Sequence, residues 1–399
     1  MLHHISDITG RRCEVHVTGA SLQRCHRTYS IGRHSEEDMQ ALQTLGHLRW
    51  STQVPQTRPL PSHIKREFVH TGSGDLELLA CEPKAGQAAK SGVFFAHGGY
   101  GSAGVWLEWM TFLYENHYPG RLYAYSARNH GASFAVPYLD MVFRTPVDAI
   151  AGDLTACVEW AEKDNEGGKL VFVGHSSGGG LSQYCLAKGL VTAHALCLVG
   201  AVPHFGMLDM YWGWFKHDPF FPLRRHPTSP LSTPALVHGA FFGSKYPSHD
   251  VSSFMQWMPR YESMGWPVAM FGSFVGWLLG KNTWLGVSYV LRNIELSRNA
   301  FERDAVCVMV GLEDMLFDVT VIRRVASEYR EGLKKMRERQ GASVDAGLSG
   351  ELADVSGTVS ESKGGVRVVL VEGAGHHVQN DVQAGIAAEA LLSWLKQVS

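Results

Sequence analysis

Gly174-His175-Ser176-Ser177-Gly178 sets a serine between glycines two positions away on either side. An apolar run, 170–173, leads into it, and a helix-forming stretch opens near Gly179. A G-x-S-x-G segment between a strand and a helix is a nucleophile elbow. Such a turn strains the serine backbone, and glycine at 174 and 178 removes side chains that would collide. The helix start behind Ser176 offers free N–H groups to a developing negative charge. The chemistry this points to is attack by a serine hydroxyl on a carbonyl carbon.

A serine nucleophile needs a base, and the base needs an acid to fix its tautomer. Gly373-Ala374-Gly375-His376 follows the last apolar run, 366–371, and makes His376 the candidate base, with the adjacent His377 as alternative. Asp314, in Gly311-Leu312-Glu313-Asp314 after the run 306–310, is the candidate acid; Glu313, Asp318 and Asp209 compete for that role, and a helix cap is the plainer use of Asp314. The order Ser176, Asp314, His376 is one in which such triads occur. Two N–H donors must face the oxyanion. Ser177 supplies one, and the loop His97-Gly98-Gly99-Tyr100 the other, with Gly99 first choice and Tyr100 second. His97 itself reads as structural, holding that loop.

These residues share a position: each follows a short apolar run. Runs at 93–96, 122–125, 170–173, 195–199, 306–310 and 366–371 each lead into a turn that contains glycine. Such runs suit parallel strands buried on both faces. Helical stretches at 147–163 and 181–188 lie between them, so the expected class is α/β with a mostly parallel, doubly wound sheet. Ligands bind at the carboxyl ends of such strands. Before them, 64–70 and 75–81 form a hairpin through Thr71-Gly72-Ser73-Gly74.

The expected organisation is an N-terminal extension over 1–62 without a chemical motif, a core over 63–203 and 301–399, and an insertion over 204–300. The insertion carries six of the eleven tryptophans and reads as a helical cap. Its aromatics either fill the cap's own core or line an apolar pocket; Trp266, Phe274 and Trp277 are the pocket candidates. Residues 330–365 open with a charged helical stretch and continue, over 341–365, as a mobile loop.

Composition narrows the class. Net charge is −2, from 36 basic and 38 acidic residues, with no basic stripe for nucleic acid. The seven cysteines are dispersed without C-x-x-C spacing, which reads as free thiols in a reducing, cytoplasmic setting. The start lacks a basic segment followed by an apolar one, so no secretory signal is expected. The most apolar stretch, 266–280, is shorter than the ~20 residues a membrane span needs. No metal-spaced Cys/His cluster is present.

With these motifs in hand, the chain resembles the α/β-hydrolases of the esterase, lipase and monoacylglycerol-lipase-like group, over roughly 64–329 and 366–399. The turn Ser126-Ala127-Arg128-Asn129-His130-Gly131-Ala132-Ser133 resembles the family's D-x-R-G-H-G-x-S segment, with Ser126 for Asp and Asn129 for Gly. The resemblance implies the α/β-hydrolase fold, a cap inserted after the sixth strand, and no metal or organic cofactor. Serine at 176 disfavours the relatives with an aspartate nucleophile. The expected function is hydrolysis of an ester or thioester of an apolar small molecule through Ser176, His376 and Asp314. The alternatives are the same triad serving C–C cleavage, acyl transfer or cyclisation, and a binding protein on a hydrolase scaffold.

Overall fold

Alternation of fully buried four- to six-residue runs with helices builds the centre of one nine-stranded sheet. The computed structural model describes residues 49–51, 53–84, 91–166, 168–206, 217, 231–270, 284–295, 303–339 and 355–398. Its strands are β1 (Ile64–Thr71), β2 (Gly74–Cys81), β3 (Gly92–Ala96), β4 (Leu122–Tyr125), β5 (Leu170–His175), β6 (Ala195–Val199), β7 (Val306–Gly311), β8 (Thr358–Lys363) and β9 (Val366–Val371). Their order is β1-β2-β4-β3-β5-β6-β7-β9-β8. The six from β4 to β9 in that order run parallel, and β1, β2 and β8 pair antiparallel at the two edges.

Strand residues alternate between two apolar layers. Phe94, Phe172, Leu196 and Val308 face one, and Val93, Phe95, Val171, Val173 and Cys197 face the other. Helices α1 (Leu107–Glu115), α2 (Val147–Asp164) and α3 (Ser176–Lys188) flank the sheet. Between β6 and β7 lie α4 (Pro234–Phe241), α5 (Ser248–Met255), α6 (Gly265–Met270) and α7 (Val287–Arg292), followed by α8 (Val319–Arg339) and, at the end, α9 (Ala384–Val398). Trp109 of α1 and Trp394 of α9 are fully buried in the second layer.

Two features differ from the sequence reading. The charged helical stretch expected from 330 is the end of α8, which runs to Arg339, but the loop expected over 341–365 holds strand β8; of 330–365, residues 340–354 fall outside the described residues. Gly364 and Gly365, at φ 60° and 82°, form a tight two-residue hairpin with Lys363 opposite Val366. The strand is polar, alternates buried with exposed, and fixes an inward Ser362 on Asp304 at 2.7 Å, so hydrophobicity gave no signal for it. Nor is the extension separate throughout. Trp50 N–H donates to the Arg260 carbonyl at 3.2 Å, and Arg49 pairs with Tyr261 as an isolated bridge. Residues 1–48, Phe274, Trp277 and Asp209 lie outside the described residues.

Candidate active site

Ser176 sits where β5 ends and α3 begins, at φ 50°, left-handed for a residue that is not glycine. Such a backbone costs of order 1–3 kcal/mol and persists only where the surroundings enforce it. Here they do. A Cβ on Gly178 would stand 2.2 Å from the His97 carbonyl oxygen, and one on Gly179 2.4 Å from Ala201 Cβ. The glycine run 178–180 lets α3 start at Ser176 itself, three residues before the expected opening, wedged between the ends of β3 and β6.

His376 follows β9 and Asp314 follows β7. His376 Nδ1–H donates to Asp314 Oδ2 at 2.8 Å, and the two side chains are 2% and 0% exposed. The other carboxylate oxygen accepts the N–H groups of Leu316 and Phe317 at 2.8 and 3.1 Å. Asp314 is thus both a turn anchor and the histidine's partner. Gly200, at φ 45° after β6, makes this approach possible: a Cβ there would lie 3.2 Å from Asp314 Oδ2 and 3.4 Å from His376 Nδ1. Ser176, Asp314 and His376 thus each follow a parallel strand, at the carboxyl end of the sheet.

The competing residues are engaged elsewhere. His377 is buried against Phe241, Phe242 and Phe254, with Nδ1 3.2 Å from Asn380 Oδ1. Burial, with the neighbouring His376, pushes its pKa down to about 3. Glu313 is exposed and accepts the Ser244 N–H at 2.6 Å, and Asp318 accepts the Thr320 N–H at the start of α8.

On the donor side, Ser177 is the second residue of α3, where N–H groups have no intrahelical partner. A Cβ on Gly99 would stand 3.6 Å from Ser177 Oγ, so the two candidate donors are neighbours. The Tyr100 N–H instead donates to Glu262 Oε2 at 3.2 Å. His97 holds this loop: its Nδ1–H donates to the Gly98 carbonyl at 2.7 Å, and its Nε2 accepts the Ala127 N–H at 3.1 Å. Burial, then the charge of His130, lowers the His97 pKa to about 3. Trp266 is buried in the first apolar layer, and Met270 Sδ of the same helix would lie 3.3 Å from a Cβ on Gly180.

Sequence reading missed several supports. His175 donates Nε2–H to the His376 carbonyl at 3.0 Å, tying the elbow to the histidine loop. Asp381 accepts the N–H groups of Gly375 and Gly243 at 2.8 and 2.7 Å. Glu77 of β2 accepts the Ser126 hydroxyl at 2.6 Å and the Ala132 N–H at 2.9 Å, so a carboxylate serves this turn although Ser126 is no aspartate. Phe241 and Phe317 lie 6.3 and 5.7 Å, ring to ring, from His376. Most of these contacts join distant segments, and a lone Asp381 six residues after Gly375 gives no signal of its own.

Solved structures of similar fold include an enol-lactonase from Burkholderia xenovorans, at 12% identity and TM-score 0.53, covering 83% of this chain and all of the other. An esterase from Thermogutta terrifontis matches at 15% identity and TM-score 0.49 over 84% and 99% of the two chains. A soluble variant of monoglyceride lipase from Saccharomyces cerevisiae matches at 14% and 0.48, over 88% and 98%. Among curated proteins none matches. No helix among the described residues is long and apolar enough to cross a membrane. The sequence profile of the alpha/beta hydrolase family matches residues 93–389, and the chain belongs to that family.

Proposed function

We propose that this chain is a serine hydrolase cleaving an ester or thioester of an apolar small molecule. The observation that carries this reading is the buried His376–Asp314 pair, 2.8 Å apart, at the carboxyl end of the sheet where the strained Ser176 stands. Ser176 Oγ attacks the carbonyl carbon while His376 takes its proton at Nε2. Asp314 keeps the remaining proton on Nδ1 and balances the imidazolium. The N–H groups of Gly99 and Ser177 receive the oxyanion, a contribution of roughly 3–4 kcal/mol per donor in such sites. His376 returns the proton to the leaving group, and water then cleaves the acyl-enzyme by the same route.

Apolar rings around His376 support an apolar acyl group, and they exclude water from the intermediate. The described cysteines are free and buried, which supports a cytoplasmic setting. The test is a panel of chromogenic esters of rising acyl length on wild type and Ser176→Ala, run also in oxygen-18 water. Turnover in wild type, label in the acid product and loss of several orders of magnitude in the variant are expected. Turnover without label incorporation would move the triad to acyl transfer or another non-hydrolytic step.

A further inference from the structure

Glu262 comes from the insertion between α5 and α6, yet its carboxylate reaches the oxyanion loop. Its Oε2 accepts two donors at once, the Tyr100 N–H at 3.2 Å and His130 Nε2–H at 2.9 Å. The Ser263 N–H donates to Oε1 at 3.0 Å. A Cβ on Gly99 would lie 3.7 Å from Oε2. A carboxylate therefore stands beside the proposed oxyanion site, where negative charge develops during reaction. By itself it would oppose that charge.

His130 cancels it. Its Nδ1 faces the Arg128 carbonyl at 2.8 Å, an acceptor, and its Nε2 faces a carboxylate oxygen. Both nitrogens must donate, so the ring is an imidazolium. Burial pulls the His130 pKa down, but the Glu262 charge and hydrogen bond outweigh it and leave the pKa raised. Burial likewise raises Glu262, and His130 outweighs it and leaves it lowered. The other titratable groups facing the pair are Asp153, His97 and Tyr125.

The bond has a mechanical side as well. Tyr100 sits at φ 66°, left-handed for a tyrosine, in a turn closed by Gly101 N–H to the Gly98 carbonyl at 3.2 Å. Trp50 meets the Tyr100 ring edge-on at 4.4 Å, and its own N–H donates to the Arg260 carbonyl. Strain of this kind lasts only when neighbours hold it.

We propose that Glu262 is a positioning residue for the oxyanion hole: it holds the strained Tyr100 turn that presents the Gly99 N–H, and His130 neutralises the charge this brings to the site. The inference rests on the serine-hydrolase reading. Fluorophosphonate labelling of wild-type Ser176 comes first; absence of labelling overturns both. With labelling present, kcat and KM for a short ester are compared in wild type, His130→Gln, Glu262→Gln and the double variant. His130→Gln leaves the carboxylate uncompensated, and kcat falls roughly 10- to 100-fold while KM changes less than about threefold. In the double variant one amide donates to the other without net charge, and kcat recovers at least about fivefold over His130→Gln. A double variant no faster than His130→Gln overturns the proposal, since two purely structural losses would accumulate. If His130→Gln does not fold, Glu262→Asp decides. It keeps the charge but retracts it by one methylene, so kcat falls about tenfold at wild-type melting temperature. An unchanged kcat in Glu262→Asp overturns the proposal.

Discussion

Gly178→Ala adds one methyl group, and the fold leaves no room for it. The new Cβ would stand 2.2 Å from the His97 carbonyl oxygen, 2.5 Å from that of Ala96 and 2.7 Å from the His97 carbonyl carbon. All three are backbone atoms at the end of β3, so no side chain can rotate away. Ordinary contact begins at 3.4 Å, so α3 and the 97–99 loop must part by roughly 1 Å. That displacement separates Gly99 from Ser177, the two proposed oxyanion donors. Overpacking of this kind costs about 1–3 kcal/mol of stability. A misplacement of about 1 Å at reacting groups costs around 100-fold in turnover. The assay is urea unfolding together with kcat on a short chromogenic ester. Gly152→Ala is the matched control. It lies on the exposed side of α2 with nothing within 4 Å of a new Cβ, and helix propensity gives it up to about 1 kcal/mol of added stability. Wild-type kcat and stability in Gly178→Ala would show that α3 and the 97–99 loop are not packed this closely.

Asp314→Asn should lower kcat by about 10³–10⁴, because the amide would favour the wrong tautomer of His376. Glu313→Gln, altering an exposed carboxylate bonded to Ser244, should change kcat less than about threefold; equal losses in both variants would remove Asp314 from its role. Acid should destabilise the fold before carboxylates titrate. His97 and His377 are buried with pKa values lowered to about 3, and His175 is lowered well below its ordinary value, in each case first by burial. Depressed histidines contribute stability that is complete above pH 6.5 and is lost as pH falls toward the folded pKa. His130, raised, contributes in the opposite direction, one against three. Between pH 7 and 5.5 each depressed group should cost roughly 1 kcal/mol, read by urea unfolding; equal stability at both pH values would contradict the neutral assignment.

Much of the sheet was legible because its strands are continuous apolar runs, and period and length decide such elements. The elbow, the His97 loop and the positions of Asp314 and His376 were legible because each follows one of those runs. What stayed hidden depends on contacts between distant segments. Strand β8 is polar and held by pairing with β9 and by its Gly364-Gly365 turn. Glu262 is one carboxylate among many in sequence, and only the fold brings it to Tyr100. The choice between His376 and His377 rests on which ring meets Asp314, a matter of loop geometry that spacing does not encode. Trp266 is a further case. It was singled out from the concentration of aromatic residues in the insertion, and the fold buries it in the first apolar layer, a partner that no local pattern names.

Everything in the proposed reaction turns on Ser176 becoming covalently acylated. The direct measurement is intact-mass and peptide mapping of the full chain after reaction with a fluorophosphonate. A single adduct on the peptide containing Ser176 is predicted, formed far more slowly in His376→Ala and absent in Ser176→Ala. An adduct that persists in Ser176→Ala, or a wild-type protein that forms none, would contradict the account.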